Sequence, residues 1–302
     1  YFQYEATYTY QCHCYQHNKV YDNVKVCKPS VTECLMQDQV LATVEAVRQK
    51  SPLVHNITNF VVMQVTANAL LAAGASPLMA HEPEELDDLL SIASALVLNI
   101  GTLDKAWIAS MRQAGELAGR RRVPVVLDPV GAGASRLRTE TALTLLNETR
   151  PAVVRGNASE IMALSPHLTG DEATTKGVDS TRASHEAETA ARDLAARLHC
   201  VVSVSGEEDL ITDGDSAWLV RGGSPLMTLV TGMGCSATAV TAAHVAVASS
   251  PLAGAVAGMA VMASAGEKAA ATAQGPGSFL PLFLDALYNL DPRDAAARVR
   301  RA

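Results

Sequence analysis

The body of this chain has little cysteine, few aromatic residues and one long stretch without charge. Of the six cysteines, Cys12, Cys14, Cys27 and Cys34 lie before Met36, and only Cys200 and Cys235 follow it. Two isolated cysteines exclude a disulfide framework for the body and fit a reduced, cytoplasmic protein. Seven of the thirteen aromatic residues (Tyr1, Phe2, Tyr4, Tyr8, Tyr10, Tyr15 and Tyr21) also lie in residues 1–36. That segment carries three basic and three acidic groups, so the net charge of −7 belongs to the remainder. It has neither the apolar run of a signal peptide nor the Arg-rich pattern of a transit peptide. Residues 1–36 are therefore expected to be an extension foreign to the fold, and residues 37–302 a single domain; the alternative is a native arm that packs on a partner.

From Gly222 to Gly266 there is no Asp, Glu, Lys or Arg. The stretch is rich in Ala, Gly, Ser and Thr and is interrupted at Ser249-Ser250-Pro251, which predicts two buried helices rather than a membrane span. The acidic balance argues against broad binding to nucleic acid or anionic membranes. Signatures of well-known phosphate binders are missing too. There is no Gly-Lys dipeptide for a P-loop, and no His-Arg-Asp or Asp-Phe-Gly of protein kinases. With 48% hydrophobic and 18% charged residues the chain has ample material for a core.

Hydrophobic periodicity predicts a helix that carries Val40, Leu41, Val44 and Val47 and ends at Ser51-Pro52. A second helix spans Val61 to Ala73, closed by Gly74. Pro77–Ala80 is a candidate strand, and Pro83 suits a helix first turn. Strands at 95–98, 124–127, 152–154 and 201–204 alternate with helices at 104–119, 138–147, from Ser159, and 184–198. Asp213-Gly214 predicts a hairpin between Leu210-Ile211 and Trp218-Leu219-Val220. Met227–Val230 is expected to be the last strand, and the polar segment 168–185 a surface loop. The alternation implies an α/β fold with a mainly parallel sheet covered by helices on both faces.

Ligands of such sheets bind beyond the carboxyl ends of the strands. Here those ends carry Asn99-Ile100-Gly101, Asp128-Pro129-Val130-Gly131-Ala132-Gly133, Arg155-Gly156-Asn157 with Glu160, Ser205-Gly206-Glu207, and Thr231-Gly232-Met233-Gly234-Cys235. The last run leads into a helix and could cradle an anion on free backbone N–H groups; it could equally be a glycine turn for close helix packing. Gly232, Gly234 and Ala237 match a loose dinucleotide fingerprint, but no acidic residue follows at the ribose-binding spacing, which removes that reading.

Several segments together resemble the hydroxyethylthiazole kinase family of the ribokinase-like superfamily: Pro52-Leu53-Val54-His55-Asn56-Ile57-Thr58-Asn59, Gly74-Ala75-Ser76-Pro77, Leu98-Asn99-Ile100-Gly101-Thr102, Leu127–Gly133, Arg155-Gly156-Asn157, Lys176-Gly177-Val178-Asp179 and Gly275-Pro276-Gly277-Ser278-Phe279. The resemblance implies transfer of the γ-phosphate of ATP to the primary alcohol of 4-methyl-5-(2-hydroxyethyl)thiazole, a thiamine salvage step. It also implies Mg²⁺ as cofactor and a homotrimer with interfacial active sites. Carried over, Asn59, Met79 and Gly232 would bind the thiazole, and Arg155, Ser205 and Thr231 the nucleotide. Asp128 and Glu160 would organise Mg²⁺ directly or through water, and Cys235 would be catalytic, as base or as packing against substrate.

Ser205 stands where relatives usually have Thr, Met233 is bulkier than the small residue expected between the glycines, and Ser236 replaces a usual Leu. Cys235 stands where the wider superfamily has Asp. The helix start is expected to lower its pKa. Two rival functions are a nicotinamide-hydrate dehydratase, whose loop carries Asp where this chain has Cys235, and a silent thiazole or thiamine sensor, against which intact Asp128, Glu160 and Cys235 argue.

Overall fold

In a computed structural model, the structure describes residues 30–169 and 180–302. The first helix, α1 (Val31–Lys50), starts earlier than the expected boundary at Gln37. Ser30 and Glu33 form a reciprocal capping box, Glu33 also accepts from the backbone N–H of Arg301, and Met36 is buried. Ser30 to Met36 therefore belong to the fold, because polar caps and one apolar anchor suffice to start a helix whose composition looks foreign.

The strands are β1 (Leu53–Ile57), β2 (Ser76–Met79), β3 (Ala95–Asn99), β4 (Val125–Asp128), β5 (Val153–Asn157), β6 (Val201–Ser205), β7 (Glu208–Thr212), β8 (Ala217–Arg221) and β9 (Val299–Arg301). They form one sheet in the order β2-β1-β3-β4-β5-β6-β7-β8-β9. Pairing is parallel from β2 to β6 and antiparallel from β6 to β9. The expected hairpin closes at Gly214, whose φ of +98° suits glycine.

Helices cover both faces. Val97, Val126 and Val201 point to a layer with α1, α2 (Met63–Ala73), α8 (Met233–Val245), α9 (Pro251–Ala270) and α10 (Pro276–Tyr288). Leu96, Leu98, Leu127 and Val202 point to the opposite layer, with α3 (Leu86–Ile92), α4 (Lys105–Arg121), α5 (Arg136–Thr149), α6 (Ala158–Thr169) and α7 (Ser180–Leu198). Successive strand residues serve opposite cores, which is why these strands are apolar throughout.

Three further expectations change. Met227–Val230 is not a strand: Pro225–Leu229 form a 3₁₀ turn capped by Ser224, since Pro225 cannot donate to a ladder and fits the first turn. Pro83 sits in a turn before α3 rather than in its first helical turn. The segment 168–185 is helical where described, to Thr169 and again from Ser180; residues 170–179, with the Lys176–Asp179 motif, lie outside the described residues.

The charge-free stretch does form two buried helices, α8 and α9, in close contact. A Cβ on Gly258 would stand 2.6 Å from Thr241 Cα, and one on Gly254 2.6 Å from Val245 Cα. Backbone atoms cannot swing away, so Gly258→Ala must part the helices. Overpacking costs ~1–3 kcal/mol, against ~1 kcal/mol gained in helix propensity. Gly258→Ala is therefore expected to unfold at lower denaturant with an unchanged m-value in a urea titration.

Candidate active site

The carboxyl ends of β3 to β6 and the amino end of α8 meet at one edge of the sheet. Register places Asn99 beside Asp128 and Asn157 beside Ser205. A hydrogen-bonded run joins the ends. Asn59 Nδ2 donates to Asn99 Oδ1 at 2.8 Å and to Cys235 Sγ at 3.5 Å. Asn99 Nδ2 and Thr238 Oγ1 both donate to Asp128 Oδ2 at 2.7 Å. The run needs a glycine beside it, because a Cβ on Gly101 would lie 2.5 Å from Asn59 Nδ2.

Gly232 caps α8 with φ +92°, and a Cβ there would also meet Val65 Cγ1 at 2.7 Å. Ser236 N–H makes the first bond back to Gly232 O, so the amides of Met233, Gly234 and Cys235 have no partner within the helix. They present an anion cradle at the positive end of the helix. Gly234 admits Arg155, whose Nη1 would be 3.0 Å from a Cβ at that position. Met233 is buried in the core and also borders the cavity; Ser236 is fully buried with its hydroxyl unpartnered.

These groups border a cavity of about 760 Å³ lined by Asp128, Arg155, Glu160, Ser205, Gly232 and Cys235 among others. Asn59 reaches it only through its bond to Cys235. Met79, at the end of edge strand β2, and exposed Thr231 are not part of its lining. Three contributors had no predicted role. Asn99 and Thr238 hold Asp128, and Asp209 accepts from Gly206 N–H at 3.1 Å on the cavity wall. Thr238 stands one helical turn beyond Cys235, which is the only sequence signal it offers.

Burial dominates the electrostatics. It pushes Asp128 up to about 6, against the pull of Arg155 and the bond from Thr238. It pushes Asp209 up to about 6 as well. Cys235 rises to about 11 through burial and the neighbouring Asp128, so the expected lowering by the helix start is reversed. Desolvation outweighs the helix dipole, which is worth only ~0.3–1 kcal/mol at exposed ends. Arg155 is nearly buried and its Nε lacks a partner. Glu160 accepts from Gly131 N–H through Oε1 and from Asn157 N–H through Oε2, each at 2.8 Å.

The sign of the Asp128 shift gives a stability test. A carboxyl whose folded pKa is raised stabilises the fold below its ordinary pKa near ~4 and loses that contribution as pH rises through the folded value. Asp128→Asn keeps an oxygen acceptor for Asn99 and Thr238 and removes the charge. Without divalent cation, its Tm is expected to exceed that of the unchanged chain at pH 8 and to converge with it near pH 4 in thermal melts.

Comparison with known proteins follows the same lines. The description "Hydroxyethylthiazole kinase family" matches residues 44–293. A hydroxyethylthiazole kinase of Nitratidesulfovibrio vulgaris (strain DP4) is 64% identical over 252 residues, 83% of this chain and 93% of the relative. One from Brachyspira hyodysenteriae is 56% identical over 265 residues, 88% and 98%. The solved hydroxyethylthiazole kinase protein of Pyrococcus horikoshii OT3 superposes with a TM-score of 0.81 at 40% identity, covering 88% of this chain and 99% of that one. A pyridoxal kinase from Staphylococcus aureus, solved with AMP-PCP, shares the fold at 18% identity and a TM-score of 0.53. By sequence, fold and the arrangement at its carboxyl edge, the chain belongs to the hydroxyethylthiazole kinase family and is a kinase of ribokinase-like architecture.

Proposed function

We propose that this cavity binds ATP beside 4-methyl-5-(2-hydroxyethyl)thiazole and moves the γ-phosphoryl group to the primary alcohol, for thiamine salvage. The observation that carries the proposal is the run Cys235–Asn59–Asn99–Asp128 set against the amino end of α8. Phosphoryl transfer has a loose transition state, so positioning and charge stabilisation supply most of the catalysis. Arg155 and Ser205 suit the nucleotide phosphates. The amides of Met233, Gly234 and Cys235 suit charge on the transferring group.

The donor set fits Mg²⁺. Among the described residues no cluster of three or more metal-ligating side chains forms a closed cage. Asp128, Glu160, Glu207 and Asp209 all line the cavity, but Asp128 and Glu160 lie close enough to interact with each other, and Mg²⁺ favours one or two carboxylates with waters and substrate phosphates. Asp128 has Oδ2 committed to Asn99 and Thr238 and has Oδ1 outside those bonds. Both oxygens of Glu160 already accept backbone N–H groups, which suits a water-mediated role. Bound there, Mg²⁺ supplies charge neutralisation on the phosphate oxygens.

With its pKa near 11, Cys235 remains a thiol at neutral pH. It suits orientation of the alcohol oxygen better than removal of its proton, and a loose transition state needs little early deprotonation. Asn59 fixes the thiol from behind, and Gly232 lines the cavity next to Cys235, which suits contact with the thiazole. Met79 and Thr231 are absent from the lining of the single-chain cavity. A homotrimer whose neighbouring chain completes the thiazole pocket would give them a place. Phe60 and Val61, directly after Asn59, are 59% and 64% exposed and suit such an interface. No helix among the described residues is long and apolar enough to cross a membrane. The scarcity of cysteine supports a cytoplasmic setting.

Incubation with ATP, Mg²⁺ and the thiazole alcohol is expected to yield the phosphate ester by mass spectrometry, with hydroxymethylpyrimidine a much poorer acceptor; absence of ester refutes the kinase reading. Cys235→Ser is expected to lower kcat by no more than roughly 10²-fold, the low end for a general-base contribution. Asp128→Ala is expected to cost ~10³-fold or more, as loss of a charge-organising group does. Steady-state kinetics decide, and a dead Cys235→Ser with normal substrate binding contradicts the orienting role. Light scattering should give the mass of three chains; a monomer contradicts the shared pocket.

A further inference from the structure

Two peptide groups at the carboxyl edge hold side chains of the proposed cation site by their N–H ends. Gly101 N–H donates to Asn99 Oδ1 at 3.0 Å, and Gly131 N–H donates to Glu160 Oε1 at 2.8 Å. Asn99 in turn donates to Asp128. The oxygen ends of the same two peptides are Ile100 O and Val130 O. Both accept from one nitrogen, Arg138 Nη1, at 2.9 and 2.7 Å, and Gly101 O accepts from Arg138 Nη2 at 2.7 Å. A trans peptide is a rigid plane whose C=O and N–H point in opposite directions, so a grip on the oxygen aims the N–H on the other side.

The bond from Ile100 N–H to Asp128 O, at 3.2 Å, is where β3 and β4 part. The next rung of a parallel ladder would run to Ile100 O, and the donor there is the Arg138 side chain. The first turn of α5 places it. Ser135 Oγ accepts from Arg138 N–H at 3.3 Å, and neighbouring Thr139 Oγ1 accepts from Gly133 N–H at 2.9 Å. Gly131, with φ +73°, leaves room for the stem, since a Cβ there would lie 3.1 Å from Arg138 Cδ. Asp128, Val130 and Glu160 line the cavity, whereas half-buried Arg138 is outside its described lining and acts only through the groups it holds. Bonds from a charged donor are about twice as strong as neutral ones, which makes the guanidinium a firm clamp on the two loops.

We propose that Arg138 is a positioning residue for the cation site: through the Ile100–Gly101 and Val130–Gly131 peptides it aims Asn99, and with it Asp128, and it aims Glu160. The consequence for turnover rests on the kinase reading; the geometry does not. Loss of a group that orients metal ligands typically costs ~10–100-fold in metal affinity or activity. Lysine is a poor substitute, because a compact ammonium lacks the planar fork that meets carbonyls of both loops.

The test compares the full chain with its Arg138→Ala and Arg138→Lys variants. In steady-state kinetics at fixed ATP, the Mg²⁺ concentration for half-maximal rate should rise ~10–100-fold in Arg138→Ala and by a smaller factor in Arg138→Lys. A purely structural role would lower Tm and the active fraction and leave that concentration unchanged. An unchanged value in Arg138→Ala, or in Arg138→Lys should the alanine variant fail to fold, overturns the proposal. Hydrogen exchange of the cation-free protein gives a readout without turnover. The amides of Gly101 and Gly131 should exchange faster in the variants while β4 and β5 keep the rates of the unchanged chain; unaltered exchange at both glycines also overturns it. If the unchanged chain forms no ester from ATP, the kinase reading fails and the exchange rates alone decide whether Arg138 aims these peptides, so the two failures are distinguishable.

Discussion

The carboxylate of Asp128 is the group on which the rest of the carboxyl edge depends. It ends β4 in the middle of the sheet and is almost wholly buried. Desolvation of that carboxylate is expensive, and the surrounding residues are arranged around it. Asn99 and Thr238 donate to one oxygen, and Arg155 supplies the nearest compensating charge. Asn99 in turn fixes Asn59, and Asn59 fixes the thiol of Cys235. The balance still favours the protonated acid more than in water, which is a reservoir that a cation or phosphate-bound cation would draw on.

Placing a helix start against this carboxylate requires α8 to run through the interior. Every residue of that helix except Gly234 and Cys235 is buried, and α9 packs along it through Gly254 and Gly258. A charged side chain anywhere on either contact face would be desolvated without a partner, so the absence of charge from the buried runs Ser236–Val245 and Ala253–Gly266 follows from the position of the active site. Beyond Cys235 at its start, His244 is the titratable group within α8. It is held neutral there: burial pushes it down to about 4 while its Nδ1 bonds Val240 O.

The thiol shows how environment sets chemistry. A cysteine at a helix start suggests an activated thiolate, yet burial and a neighbouring carboxylate push Cys235 the other way. A neutral thiol tethered by Asn59 is a shape and hydrogen-bond element, in keeping with a reaction whose transition state is loose.

The sequence by itself determined the alternation of strands and helices, the ends that carry Asp128, Arg155, Ser205 and the glycine loop, and the kinship of the chain. Apolar runs, turn residues and motifs are local signals, and these elements carry them. It did not reveal β1, because the buried polar pair His55 and Asn56 interrupts the apolar run; their partners, Ala80 O and Leu78 O, come from a distant segment. It placed a strand at Met227–Val230, where Pro225 and the packing of Met227 against Gly266 impose a 3₁₀ turn. Only the tertiary structure decided that Asn59, Asn99, Thr238 and Asp128 form one bonded run, and that Cys235 is a thiol rather than a thiolate. Both are consequences of burial and of contacts between residues up to 176 positions apart, which no local pattern encodes.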